Sequence, residues 1–175
     1  MSDIWQACAG RLRPGTLSGT LWRMVESQEE IATNALVDTL EEQAALESLL
    51  DATKPARLGT EGLHYLLATP FRYPPLRHGS RFGRRFEPSQ YYGSIHHSAL
   101  LSEAAYYRFV FAAGPAVPFP RPLITRHTAF SVEFRTTTGL RLEQPPLSEH
   151  QDALASPVDY SASQAFGTAM RDHGI

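Results

Sequence analysis

The chain has 175 residues, 42% hydrophobic and 19% charged, which suits one globular domain with its own core and excludes a disordered segment. A net charge of −2 and a pI near 6.4 supply no global field to draw it to nucleic acid or an anionic membrane. The single cysteine, Cys8, excludes a disulfide framework and a multi-cysteine zinc site.

In chain order, residues 1–20 are punctuated by Pro14, Gly15 and Gly19 and read as a loosely packed lead-in, with no basic-then-apolar leader. Leu21-Trp22-Arg23-Met24-Val25 is short and mostly apolar, which predicts a strand. Two capping-box patterns follow, Ser27 with Glu30 and Thr39 with Glu42. Apolar residues then recur at helical spacing to Leu50, predicting one broken helix or two short ones over 28–52, closed by Pro55. The leucines there suit an amphipathic helix against a core.

After a short apolar run at 63–67, Pro70-Phe71-Arg72-Tyr73-Pro74-Pro75 is expected not to be helical at all, because prolines forbid it at both ends. Tyr91-Tyr92-Gly93-Ser94 reads as a strand ending in a turn, and a helix is expected from Ser94 towards Phe111. The stretch from Pro115 to Pro122 is a rigid loop, and Thr128–Thr137 alternates as a strand with Phe130, Val132 and Phe134 on one face. Gln144–Ser156 reads as a polar loop and Tyr160–His173 as a last helix. Strands and helices mix without a βαβ rhythm, so the expected class is α+β. No run approaches the roughly 18 apolar residues of a membrane span, and the expected location is cytoplasmic.

Three features carry chemistry. Arg72, Arg77, Arg81, Arg84 and Arg85 fall within 14 residues, interleaved with Phe71, Tyr73, Phe82 and Phe86 and with no carboxylate before Glu87. Guanidinium groups bind phosphate through paired hydrogen bonds and aromatic rings stack on bases, so the segment suits a dinucleotide, a single nucleic-acid strand, or simply a solvated loop. Glu103, on the expected helix, has the Ala99–Tyr106 row on one side and the Leu100–Ala104–Tyr107 row on the other. A lone carboxylate on such a face is expelled, paired with an arginine, or functional. In Asp159-Tyr160-Ser161-Ala162-Ser163-Gln164-Ala165-Phe166-Gly167 the serines lack a GxSxG setting, and Ser161 with Asp159 also suits a helix cap. His96, His97 and His127 are scattered and are not read as ligands.

Together these pieces resemble the RES domain. Gly79-Ser80-Arg81-Phe82 looks like its Gly-Arg-aromatic element and Tyr92 like its tyrosine at a strand end. Glu103 resembles its helical glutamate, and Ser161 ahead of Gln164 and Gly167 its serine near Gln-x-x-Gly. The spacings from Arg81 to Tyr92 (92−81) and Tyr92 to Glu103 (103−92) are both 11. Phe82 stands where Trp is usual, and Gly83 where Asn is usual. The resemblance implies an α+β fold related to ADP-ribosyltransferase-type toxins, with an N-terminal helical insertion. It divides the chain into a lead-in, strand and helical extension (1–56) and a RES-like catalytic domain (57–175). Members generally continue through another strand or two beyond the position of Ile175, which implies an incomplete core.

The resemblance also implies cleavage of NAD at its nicotinamide–ribose bond without a metal, NAD being the substrate. Arg81 and an early arginine, either Arg23 or Arg72, would hold the pyrophosphate, and Tyr92 would pack on the cofactor. Glu103 would stabilise the ribosyl cation, and Ser161 would position nicotinamide or its ribose. ADP-ribose would pass to phosphate or water, or alternatively to a cellular protein. The implied partner is an Xre-like antitoxin, through which alone nucleic acid would be met. A reading of another class is a single-strand nucleic-acid binder or ribonuclease toxin built on the Arg-aromatic segment.

Overall fold

The Asp3 carboxylate accepts from the amides of Trp5 and Gln6 and so caps the start of helix α1 (Ile4–Cys8). The computed structural model describes residues 3–27, 36–55, 59–122 and 124–175. After a 3-10 turn (Ala9–Arg11), strand β1 runs Gly15–Glu26, and helices α2 (Leu40–Thr53), α3 (Tyr65–Arg72) and α4 (His97–Ala113) follow. Strand β2 (His127–Gly139), a 3-10 turn (Leu147–His150) and helices α5 (Gln151–Leu154) and α6 (Ser161–Asp172) complete the described elements.

The two strands form a two-stranded sheet. Their pairing is antiparallel: Leu17 lies against Gly139 near one end, and the Ser27 amide donates to the Arg126 carbonyl at the other. Helices with a small antiparallel sheet are the expected α+β class, and α2 supplies the expected N-terminal helix.

Two compact units share the strands: Met1–Gly19, Arg57–Tyr91 and Phe134–Ile175 make the first, and Thr20–Ala56 with Tyr92–Glu133 the second. The core of the first gathers Ile4, Trp5, Cys8, Leu12, Leu147, Leu154 and Phe166. The Trp5 ring meets Phe166 at 5.8 Å and His173 at 4.5 Å between centroids. In the second, Trp22 bridges Ser94 through paired backbone hydrogen bonds and its ring lies 4.2 Å from His97. Leu100 is the buried residue of α4, and Arg108 holds Glu26 at 2.6 Å.

Several expectations need correcting. The lead-in is not loose: α1 is short but puts Ile4, Trp5 and Cys8 in the core, and β1 begins at Gly15. Arg72 is helical, because α3 runs through Pro70. In a helix starting at Tyr65 that proline removes only the bond to the Leu66 carbonyl, and the helix stops at Arg72 before extended Tyr73 and Pro74. Gln144–Ser156 is not a polar loop, since Leu147 and Leu154 anchor its two short helical turns in the core. Tyr91–Ser94 forms a single bridge rather than a strand.

The Thr39–Glu42 capping box is present, with the Glu42 amide 3.1 Å from the Thr39 hydroxyl. Ser27–Glu30 and the first part of the expected helix lie outside the described residues. Removing the cap by Thr39→Ala is expected to cost about 1 kcal/mol of helix stability. Faster amide exchange confined to the first turn of α2 would register it; unchanged exchange there would contradict it.

Candidate functional site

The loop carrying Arg81 is built by two glycines and fastened by one helix. Gly79 adopts φ +71, a left-handed conformation that side chains disfavour, and its amide donates to the Leu76 carbonyl at 2.7 Å. The Ser80 amide then closes on the Gly83 carbonyl at 2.7 Å, so residues 80–83 turn tightly.

α6 holds the carbonyls of that turn. Gln164 donates through Nε2 to the carbonyls of His78 (3.0 Å) and Ser80 (2.9 Å). The fully buried Ser163 hydroxyl donates to the Arg81 carbonyl at 2.6 Å. Arg171 donates to the Phe82 carbonyl at 3.2 Å. Gly167 faces that same carbonyl so closely that any Cβ there would overlap it. The Gln-x-x-Gly pattern thus has a mechanical meaning: glutamine binds the loop's backbone, and glycine one turn later lets it approach.

Held this way, the half-buried Arg81 side chain donates from Nη1 to the Ser156 carbonyl at 2.7 Å and lies over the Tyr160 ring, 4.8 Å from its centroid. These contacts fix the guanidinium, a group that carries five N–H donors in all. Among the clustered arginines, Arg77, Arg84 and Arg85 are exposed, as a solvated loop would have them; Arg72 and Arg81 are half-buried.

Glu87, beyond the turn, takes part in the same fastening. Its carboxylate pairs with Arg171, accepts from the Thr168 hydroxyl and accepts from the Arg84 amide at 2.6 Å. Burial raises its pKa, but the Thr168 and Arg84 hydrogen bonds and the Arg171 and Arg84 charges outweigh that and hold it below the ordinary 4.5. A carboxylate depressed in the folded state contributes stability that is fully present above its unfolded pKa and is lost as pH falls through the folded value. Stability is therefore expected to fall on acidification below about pH 4.5. Glu87→Gln should flatten that part of the curve; an identical acid limb in both proteins would contradict the assignment.

Ser161 is the exposed first residue of α6, and its amide donates to the Asp159 carboxylate at 2.8 Å. That amide and the Ser161 hydroxyl hold Asp159 below the usual carboxylate range. Sequence reasoning singled out Ser161 and missed Ser163, Arg171 and Glu87. A row of small and apolar residues at Ser163, Phe166, Gly167 and Met170 follows helical spacing and was the available signal for the inward face of α6.

In the second unit Arg23, on β1, reaches the Tyr92 carbonyl at 3.5 Å, and the Tyr92 ring is substantially exposed. Of the two competing early arginines, Arg23 is thus the one that meets Tyr92, whereas Arg72 ends α3 in the unit that holds Arg81. Glu103 is exposed on α4, and no described residue forms a hydrogen bond or ion pair with it, so of the three alternatives the pairing with an arginine is not found among the described residues. Its neighbours Tyr106 and Tyr107 are also exposed, at 60% and 54%, whereas Leu100 of the same flanking row is buried. Among the described residues no cluster of three His, Cys, Asp or Glu side chains is arranged to hold a metal ion.

Mixed helices, a small antiparallel sheet and an arginine held on a glycine turn define an α+β protein. The RES domain family matches residues 54–175, more than half of the chain, and the chain belongs to that family. At family level its function is toxin-like and NAD-related. No curated protein matches the chain. No described helix is long and apolar enough to cross a membrane.

Proposed function

We propose that the chain is the toxin of a toxin–antitoxin pair, breaking the nicotinamide–ribose bond of NAD and passing ADP-ribose to phosphate or water. The observation that carries this reading is the Arg81 guanidinium, fixed by the Ser156 carbonyl and the Tyr160 ring on the glycine turn that α6 fastens. It is supported by membership of a family of NAD-related, toxin-like function.

In this reading Arg81 and an early arginine, Arg23 or Arg72, hold the pyrophosphate, and Tyr92 packs against the cofactor. The C1′–N bond of the nicotinamide ribose breaks with its electron pair going to nicotinamide, which leaves as a neutral base needing no proton. The ribose is left as an oxocarbenium ion, and the Glu103 carboxylate stabilises its positive charge, as carboxylates do in glycoside cleavage. Ser161 orients the nicotinamide or the adjoining ribose. A phosphate oxygen or water then bonds to C1′, water losing its proton to solvent. An Xre-like antitoxin restrains the activity.

Mass spectrometry of NAD incubated with the purified chain, in phosphate and in phosphate-free buffer, tests the acceptor. The expected products are nicotinamide with ADP-ribose 1″-phosphate in the first buffer and with ADP-ribose in the second. Intact NAD in both would overturn the reading. ADP-ribose recovered only on added protein would replace the small acceptor with a protein side chain.

A further inference from the structure

The first unit has a cavity of about 270 Å³ where the open end of the sheet meets the segment before α5. Arg11, Arg13 and Arg141 line it, and no carboxylate does. Its lining includes Leu12 and Leu147, both buried in the core, so part of it is fixed structure. Neither Arg81 nor any residue of α6 lines it.

The three guanidinium groups are held only lightly. Arg11 meets Glu149 at 3.4 Å and Arg141 meets Glu143 at 3.3 Å, in pairs whose side chains are more than half exposed. Exposed pairs of this kind contribute little and yield readily to a stronger anion. Arg13 bonds no carboxylate among the described residues: its Nη1 donates to the Leu12 carbonyl at 2.7 Å and the Gly10 carbonyl at 3.2 Å, which orients the group. Three arginines line the cavity, and the two carboxylates paired with them, Glu149 and Glu143, are not among its lining residues, so the lining is positive. The tetrahedral oxygens of a phosphate can take bonds from several guanidinium groups at once, which a single planar carboxylate does less well. Leu17, Leu140 and Pro146 add apolar wall for an organic portion.

We propose that this cavity is a second anion site, taking a small phosphate monoester. The proposal does not depend on NAD cleavage. The test is titration of the isotope-labelled chain with inorganic phosphate and with glycerol 3-phosphate at constant ionic strength, following the backbone amides of Gly15–Leu17 and Gly139–Arg141. Saturable shifts are expected in that set, with the ester binding more tightly than inorganic phosphate. Affinity should drop about tenfold or more in Arg13→Ala/Arg141→Ala and be unchanged in Arg81→Ala. Thr16→Glu, at an exposed cavity residue, should weaken binding while all three arginines remain. The proposal is overturned by an absence of saturable shifts at those amides, or by equal affinity in the wild type, the double variant and Thr16→Glu. It is overturned equally by loss of these shifts in Arg81→Ala, which would assign the anion to the Arg81 loop.

Discussion

Glu103→Gln is expected to leave the fold intact and to slow nicotinamide release at least about a hundredfold, equivalent to about 2.7 kcal/mol of transition-state stabilisation. The fold should survive because Glu103 is exposed on α4 and no described residue bonds to it. An amide keeps the size of the side chain but removes the charge that would face the ribosyl cation. That cation exists only along the reaction path, so the loss should fall on kcat, with KM little altered. Initial rates with circular dichroism as the folding check decide it. A folded variant that releases nicotinamide at the wild-type rate would remove Glu103 from the chemistry.

Gly167→Val is expected to be the most damaging single change to the site's framework. The carbonyl of Phe82 occupies the space a side chain would need, and it is backbone in a turn already held by Gln164, Ser163 and Arg171. Neither partner can move cheaply, so the loop must leave α6. Overpacking of this kind costs about 1–3 kcal/mol, which for a chain of this size corresponds to a fall in Tm on the order of 2–12 °C. Arg81 would lose its fixed position with the loop, and nicotinamide release should fall with it. A variant with wild-type Tm and rate would show that the close approach of α6 to the loop is dispensable. Gln164→Ala, which strips two carbonyls of one donor without adding bulk, should show the same loss in smaller measure.

Much of this framework was legible in the sequence where the signal was local. The alternation around Phe130, Val132 and Phe134 marked β2, and the Thr39–Glu42 box marked the start of α2, whereas Gly79-Ser80-Arg81-Phe82 was legible only as a family element and not as the turn it forms. What escaped depended on partners distant in the chain. Glu87 and Arg171 are 84 positions apart, and nothing near either announces the other. Ser163 and Ser161 differ by two positions on one helix, which turns them to different faces: one is fully buried beneath Arg81 and the other exposed at the helix start. α1 was hidden because a five-residue helix next to Gly10, Pro14 and Gly15 offers too little periodicity, although Trp5 and Cys8 on it are buried. Leu147 and Leu154, set among polar residues, reach the core from short helical turns too brief to announce themselves by pattern. Pro70 misled because it argues against a helix interior, whereas α3 ends two residues later.

The measurement that bears most directly on the central proposal is the number of nicotinamide molecules released from NAD per molecule of the purified, folded chain. Release well above one per chain, lost in Glu103→Gln and in Arg81→Ala, is the predicted result. Intact NAD alongside salt-dependent binding or cutting of single-stranded RNA, unaffected by Glu103→Gln, would contradict it and assign the arginine segment to nucleic acid instead.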